Sequence, residues 1–143
     1  MKKIVMLFAA VLVICGCKSS KDAGSGSVVS DNSIEKKLKQ TWILENLNGK
    51  MITEKDFSSF PKLEMGASTF SGSTGCNGIK GDLSSKGAGK LQFQSITAET
   101  KKCNAKKEGE FLQLLRTTSG YSIENNKLYL SNQFGLTMSF KKG

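Results

Sequence analysis

The sequence of 143 residues contains no histidine. This absence excludes histidine-based acid–base catalysis and a Ser-His-Asp triad, and no spacing of carboxylates, or of lysine with serine, indicates another catalytic centre. It also leaves the few cysteines without the partners that a tetrahedral metal ion usually takes. The glycine-rich stretch at 72–81 lacks the Gly-Lys-Ser/Thr ending of a phosphate-binding loop. We therefore expect no enzymatic activity, no metal and no cofactor.

The chain has no apolar run long enough to span a bilayer, which takes about 20 residues. The run at 4–14 covers eleven residues and follows two lysines, an arrangement typical of a secretory signal. It ends in Cys15-Gly16-Cys17, which resembles the lipobox of bacterial lipoproteins. The resemblance implies that a signal peptide at 1–16 is removed and that Cys17 is acylated. An ordinary signal peptide with an incidental cysteine is the alternative.

The residues after the lipobox predict where the protein lies. Residues 17–32 are rich in Ser, Gly, Asp and Lys and offer little to bury, which predicts a flexible tether ahead of a domain at 33–143. Lys18 stands where some lipoproteins carry the aspartate that retains them in the inner membrane. We therefore expect a lipid-anchored protein of the bacterial cell envelope, held in the outer membrane.

Cysteines are also few, with four in the whole chain. If Cys15 leaves with the signal and Cys17 takes lipid, only Cys76 and Cys103 remain. Two thiols in an exported domain most often form a disulfide. Two free buried cysteines are the alternative.

The charge of the chain is one-sided, with a formal net charge of +9, whereas aromatic residues make up only 8% of it. The lysines are spread along the sequence, and no aromatic residues interleave with them as a nucleic-acid platform would require. We therefore expect no nucleic-acid partner. We interpret the lysines mainly as solvated surface, with an attraction to anionic lipid headgroups near the tether as the alternative.

Short alternating segments and tight turns predict a sheet of about eight strands. The predicted strands lie at 42–47, 62–65, 68–71, 79–83, 90–94, 121–123, 127–130 and 136–140. Asn48-Gly49 predicts a hairpin that returns at 50–53, and Ile96 suggests a bulge or bend after the fifth strand. The fold class is therefore mainly β (α+β), with an antiparallel sheet that curls toward a barrel around one helix.

The helix is predicted at 105–117, where apolar residues recur at helical spacing. Asn104 is the expected N-cap and Gly120 the expected end. The aromatic residues are interpreted as core rather than as a ligand stripe, because a domain this small needs them inside. These residues are Trp42, Phe70, Phe93, Phe111 and Phe140.

The order of these features resembles a META domain of the HslJ type, found in small bacterial envelope lipoproteins. The most specific part is Phe70-x-Gly72 followed by Gly75-Cys76-Asn77-Gly78 and, later, Cys103. The resemblance covers about residues 38–141 and departs at Glu99, where the family usually has a threonine. It implies a lipocalin-like partial barrel packed on one helix, and no enzyme. We interpret Asn77 as a turn residue whose side chain bonds to the backbone.

The resemblance implies a role in envelope stress or drug tolerance. Together with the lipobox-like run and the tether, it leads us to expect a monomeric envelope protein that acts by binding a protein partner. One alternative is a carrier of a small apolar ligand in a lipocalin-like cavity, and another is an inhibitor of an envelope enzyme. An exposed apolar patch would favour partner binding, whereas a carrier would keep its apolar surface inside a cavity.

Overall fold

The computed structural model describes residues 36–143. The signal at 1–16, Cys17 and the tether up to residue 32 lie outside the described residues, so the predictions made for them remain predictions. Within 36–143, no helix combines the length and apolar character needed to cross a bilayer.

The described domain consists of nine strands and a helix that falls between the sixth and seventh strands. In chain order these are β1 (Thr41–Leu47), β2 (Lys50–Met51), β3 (Lys62–Met65), β4 (Thr69–Ser73), β5 (Gly78–Ser84), β6 (Gln92–Ala98), α1 (Glu108–Thr117), β7 (Gly120–Glu124), β8 (Lys127–Asn132) and β9 (Gly135–Lys142).

All strands belong to one antiparallel sheet, in the order β6-β5-β4-β3-β1-β9-β8-β7, with the short β2 added to β1. The prediction of a mainly β fold with a curled antiparallel sheet and one helix is confirmed. The sheet does not close into a barrel. A single bridge between Lys90 and Gly120 joins the segment before β6 to the start of β7.

The core lies between the inner face of the sheet and α1. Leu63, Leu128 and Leu130 alternate with more exposed neighbours along their strands, as half-buried strands require. The helix buries Phe111 and Leu115 against this face. All five aromatic residues predicted for the core are buried, none more than 4% exposed, and each contributes about 1.5–3 kcal/mol by leaving water.

The helix begins three residues later than predicted, at Glu108, and Asn104 does not cap it. Hydrogen bonds to other parts of the chain hold the preceding segment in a non-helical path. The N–H of Lys101 donates to the side-chain oxygen of Asn77 at 2.8 Å, and the N–H of Lys107 donates to the carbonyl of Asp56 at 3.2 Å. These bonds tie the segment before α1 to the turn between β4 and β5 and to the loop after β2.

The end of the helix also differs from the prediction. The helix ends at Thr117, and Gly120 starts β7. Thr118 stops the helix because its backbone turns extended while its hydroxyl donates to the carbonyl of Leu114 at 3.0 Å. The sequence signal at Gly120 therefore belongs to the strand, where Gly120 lies close to the hydroxyl of Ser131.

Two predictions about the strands have different outcomes. The Asn48-Gly49 hairpin is confirmed, with positive φ at both residues, but β2 ends at Met51 because the N–H of Thr53 donates to the carboxylate of Asp56 at 2.8 Å. The predicted bend in β6 is confirmed: Ser95 has a φ of 51°, and the register with β5 shifts nearby.

Candidate functional site

The motif Gly75-Cys76-Asn77-Gly78 forms the turn between β4 and β5. Gly75 has a φ of +91°, and a Cβ on it would collide with the carbonyl oxygen of Ser59. The hydroxyl of Ser59 donates to the carbonyl of Gly75 at 2.9 Å. Glycine at this position therefore permits both the left-handed backbone and the close approach of the segment that leads to β3.

Asn77 is the centre of this turn and is only 3% exposed. Its amide nitrogen donates to the carboxylate of Glu108 at 2.7 Å and to the carbonyl of Lys101 at 3.2 Å. Its amide oxygen accepts from the N–H of Lys101 at 2.8 Å. The predicted bonding of the side chain to backbone is confirmed, and the bond to Glu108 adds a contact that the sequence did not suggest.

Glu108 accepts hydrogen bonds from two residues of the turn between β4 and β5. The same carboxylate oxygen accepts from the hydroxyl of Thr74 at 2.5 Å and from the amide of Asn77. Thr74 is fully buried, and its hydroxyl oxygen accepts in turn from the N–H of Asn77 at 2.9 Å. A carboxylate at the first position of a helix also suits the positive end of the helix dipole.

We call Thr74, Asn77, Lys101 and Glu108 the helix-start cluster. No pattern in the sequence indicated that Glu108 and Thr74 would meet at this turn. The glycine motif was the one available signal, because it showed that the backbone turns here. It could not show which distant carboxylate would meet the turn.

Cys76 and Cys103 lie at disulfide distance, with their Cα atoms 6.1 Å apart and 27 positions between them in sequence. Both are half-buried. A bridge here would join the same two segments that Asn77 joins to each other by hydrogen bonds. The pair therefore has a structural place in the fold, beside the helix-start cluster.

Two acidic side chains flank the cluster and are held in their charged form. Hydrogen bonds from the N–H and the hydroxyl of Thr53 lower the pKa of Asp56 below its ordinary value, and Lys107 adds to this effect. Lys101, followed by the N–H of Gly78, lowers the pKa of Glu99 in the same way. Glu99, which departs from the family pattern, thus binds the turn between β4 and β5.

The helix-start cluster offers little to a ligand. In the described part of the chain, no buried side-chain nitrogen or oxygen lacks a hydrogen-bond partner. Among the same residues, no group of three or more His, Cys, Asp or Glu side chains is placed to hold a metal ion. The buried side-chain hydrogen-bonding groups of the motif are all paired within the fold, so we assign the motif a structural role.

Exposed apolar side chains mark a second region. Phe134 is 88% exposed and Leu136 59% exposed, and both belong to the turn between β8 and β9 or the start of β9. The turn itself is ordered by local bonds, since the N–H of Phe134 donates to the side chain of Asn132 at 2.9 Å. The aromatic ring is therefore presented to solvent by a defined turn.

Met51, which is 73% exposed, lies on the same side of the sheet as Leu136. It pairs with Asn46, which pairs with Ser139 of β9 on its other side. We call Met51, Phe134 and Leu136 the apolar surface. The sequence predicted Leu136 as the first residue of the last alternating strand, and the register shift between β8 and β9 next to it explains its exposure. Met51 and Phe134 were not singled out, because neither belongs to an alternating pattern.

The described domain carries grooves on its surface. One of about 710 Å³ runs over the outer face of β3 to β6 and is lined in part by Glu64, Lys80 and Asp82. The interior is filled by side chains, and the largest fully buried ones are Trp42, Phe57, Phe111 and Phe140. The helix and the sheet thus leave the inside of the partial barrel occupied.

Comparison with known proteins confirms the META domain in the resemblance drawn from the sequence. The family model for the META domain matches residues 36–143, the whole of the described part. No curated protein matches the chain at a significant level.

Two structures determined by NMR share the fold. One, from Burkholderia xenovorans, is 22% identical, covers 73% of this chain and 82% of its own, and superposes with a TM-score of 0.58. The other is 21% identical, covers 73% of this chain and 90% of its own, and has a TM-score of 0.57.

Proposed function

We propose that this chain, which belongs to the META domain family, is a lipid-anchored envelope protein without enzymatic activity that binds a protein partner. The observation that carries the partner-binding part is the exposure of Phe134, 88% of which faces solvent in an ordered turn. Phenylalanine is among the aromatic residues that are enriched in the buried core of protein interfaces.

The proposed location rests on the N-terminal sequence. A basic start, an apolar run at 4–14 and the lipobox-like residues up to Cys17 support export and acylation. The Cys76–Cys103 pair at disulfide distance supports an oxidising compartment. Lys18 favours the outer membrane, and the resemblance to envelope lipoproteins favours a role in envelope stress or drug tolerance.

The apolar surface supports partner binding over the carrier hypothesis. A soluble domain that binds nothing gains no stability from exposing Phe134 and Leu136, whereas both would leave water at an interface. A carrier would need an open apolar cavity. In residues 36–143 the inside of the sheet is filled by side chains of the sheet and of α1. An inhibitor of an envelope enzyme would be one kind of protein partner and could use the same surface.

The location is tested by the intact mass of the protein purified from membranes. We expect the mass of a chain that begins at Cys17 and carries acyl chains, and no alkylation of thiols before reduction. A radioactive fatty acid should label the wild type and not the Cys17→Ser variant. Equal labelling of the two would contradict anchoring at Cys17.

Partner binding is tested in cells with a photo-activated cross-linker placed at Gln133, next to Phe134. We expect a discrete cross-linked product that disappears when Phe134→Ser is added. The matched control places the cross-linker at Lys86, an exposed loop residue between β5 and β6. Identical products from both positions, or a product that survives Phe134→Ser, would contradict binding through the apolar surface.

A further inference from the structure

We propose that the edge of the domain at which the tether enters binds the anionic surface of the bilayer through lysines from both ends of the described chain. The proposal rests on the lipid anchor proposed above. The lysines are Lys36 and Lys37, before β1, and Lys141 and Lys142, at the end of β9. We call these four residues the tether edge.

The residues before β1 are fixed to the domain. Leu38 is buried, and its carbonyl accepts from the indole N–H of Trp42 at 3.1 Å. The carbonyl of Lys37 accepts from the side-chain amide of Gln40 at 2.8 Å. The backbone that carries Lys36 and Lys37 therefore folds against the start of β1, so that these lysines have a defined place in the domain.

The register between β1 and β9 brings the second pair of lysines to the same edge. Lys142 lies opposite Trp42 and Lys141 lies opposite Ile43. The N–H of Gly143 donates to the carbonyl of Thr41 at 2.9 Å, which extends this pairing to the end of the strand. Lysines more than a hundred positions apart in the sequence thus lie at the same end of the sheet, around the start of β1.

The charge of the tether edge is not neutralised within the described domain. All four lysines are exposed, and none makes an ion pair with a described residue. The nearby Glu45 is already bound to Lys127 at 2.7 Å. Glu64, opposite Thr41, and Glu124, opposite Lys127, also lie toward this end, and neither makes an ion pair with the four lysines. The edge therefore presents an excess of positive charge to solvent.

Lysines at the other end of the domain are placed differently. Near the start of α1, Lys101 pairs with Glu99 at 2.8 Å and Lys107 pairs with Asp56 at 3.3 Å. These two lysines serve local ion pairs among acidic residues, whereas Lys102 and Lys106 beside them make no ion pair with a described residue. The tether edge differs because its four exposed lysines come from both ends of the described chain to the edge at which the tether enters, a placement that the evenly spread charge of the sequence did not reveal.

The occupant we assign is the layer of anionic phospholipid headgroups in which the anchor would sit. Lys36 follows Cys17 by 19 positions, and even a fully extended chain of that length reaches only about 65 Å. The anchor would thus confine the domain near the bilayer with this edge on the side of the tether. Each lysine near an anionic surface strengthens binding by about fivefold at physiological salt.

The test uses the full lipoprotein, purified from membranes and reconstituted into vesicles of phosphatidylcholine alone or with added phosphatidylglycerol. A membrane-impermeant acetylating reagent modifies exposed lysines, and mass spectrometry gives the rate at each one. We expect phosphatidylglycerol to slow the modification of the tether edge about fivefold or more, while Lys50 and Lys106 keep their rates. High salt should remove the protection.

Charge variants sharpen the test. Lys141→Gln with Lys142→Gln should reduce the protection of Lys36 and Lys37 severalfold, because the two pairs bind the same surface. Lys50→Gln with Lys106→Gln removes the same net charge from the opposite end, and should leave that protection unchanged. Equal effects of the two variants would mean that net charge alone attracts the domain, and would overturn the proposal.

The outcomes separate this proposal from the proposed anchor. If Cys17 is not acylated, the protein will not remain on phosphatidylcholine vesicles, yet protection on phosphatidylglycerol vesicles can still be measured. If the protein is acylated and all exposed lysines react at the same rate on both kinds of vesicle, the anchor stands and the tether-edge proposal is wrong.

Discussion

At the start of α1, the buried amide of Asn77 makes three hydrogen bonds, whereas in the turn between β8 and β9 the ring of Phe134 is 88% exposed. Both regions belong to tight turns of the same sheet. In the first, polar groups are removed from water and every one of them is paired. In the second, an apolar group is left in water although the turn that carries it is ordered.

This difference separates what holds the fold from what remains available to a partner. The motif that stands out in the sequence, Gly75-Cys76-Asn77-Gly78, is used to join β4, β5 and the start of α1. A buried polar network of this kind cannot release a bond to a ligand without leaving its partner unsatisfied. The turn at Phe134 holds no such buried network, and a binding partner would remove its exposed ring from water.

Breaking the link at Cys103 should have the largest effect on the first region. We expect Cys103→Ser to lower the free energy of unfolding by roughly 3–4 kcal/mol, because the unfolded chain regains the freedom that closure of the loop removes. Urea unfolding measures this change. Reduction of the wild type should cause a similar loss. Two thiols that react before any reduction would contradict the bridge.

Removing the amide of Asn77 should have the next largest effect. Asn77→Ala leaves the backbone of Lys101 without its partner and takes one donor from Glu108, which we expect to cost about 2–3 kcal/mol in urea unfolding. Gln133→Ala, in the exposed turn, is the matched control and should change stability by less than about 0.5 kcal/mol. Equal losses of unfolding free energy in Asn77→Ala and Gln133→Ala would contradict the difference between the two regions.

Acid should weaken the first region through its flanking carboxylates. The folded state lowers the pKa of Asp56 and Glu99, so their contribution is complete above the unfolded values near 4 and is lost as the pH falls through the lower folded values. The urea concentration at the midpoint of unfolding should therefore fall when the pH is lowered below about 4.

Variants of the ion pair between Asp56 and Lys107 test which group causes this loss of stability in acid. Asp56→Asn should make the pH dependence shallower, because it removes one of the two carboxylates. Lys107→Gln should keep most of it, since the hydrogen bonds from Thr53 lower the pKa of Asp56 more than the lysine does. A pH dependence that Asp56→Asn leaves unchanged would show that other groups are responsible.

The smallest effect on stability is expected in the second region. Phe134→Ser should change the free energy of unfolding by no more than about 0.5 kcal/mol, because the ring contributes little to the core. The same variant should abolish the cross-linked product formed from Gln133. Asn77→Ala, at a temperature where it remains folded, should retain that product. Loss of the product in both variants would mean that it depends on global stability.

Much of the fold was predictable because it depends on local pattern. Alternation of apolar and polar residues located the strands, and Asn48-Gly49 located a hairpin through its positive φ angles. The boundaries that were predicted wrongly are those at which distant groups compete for the backbone. Asp56 binds the N–H of Thr53 just after β2, and its carbonyl accepts from the N–H of Lys107 just before α1. No local pattern around residue 105 contains that information.

Fold class and the aromatic core could be predicted from the sequence, since they depend on periodicity and volume, and the number of thiols predicted that Cys76 pairs with Cys103. The distance between these cysteines, the contact of Glu108 with Asn77, the exposure of Phe134 and the position of Lys36 and Lys142 at one end of the sheet are known only from the folded domain. Each of these depends on strand register and on the curl of the sheet. Those long-range pairings bring together residues that are unrelated in sequence.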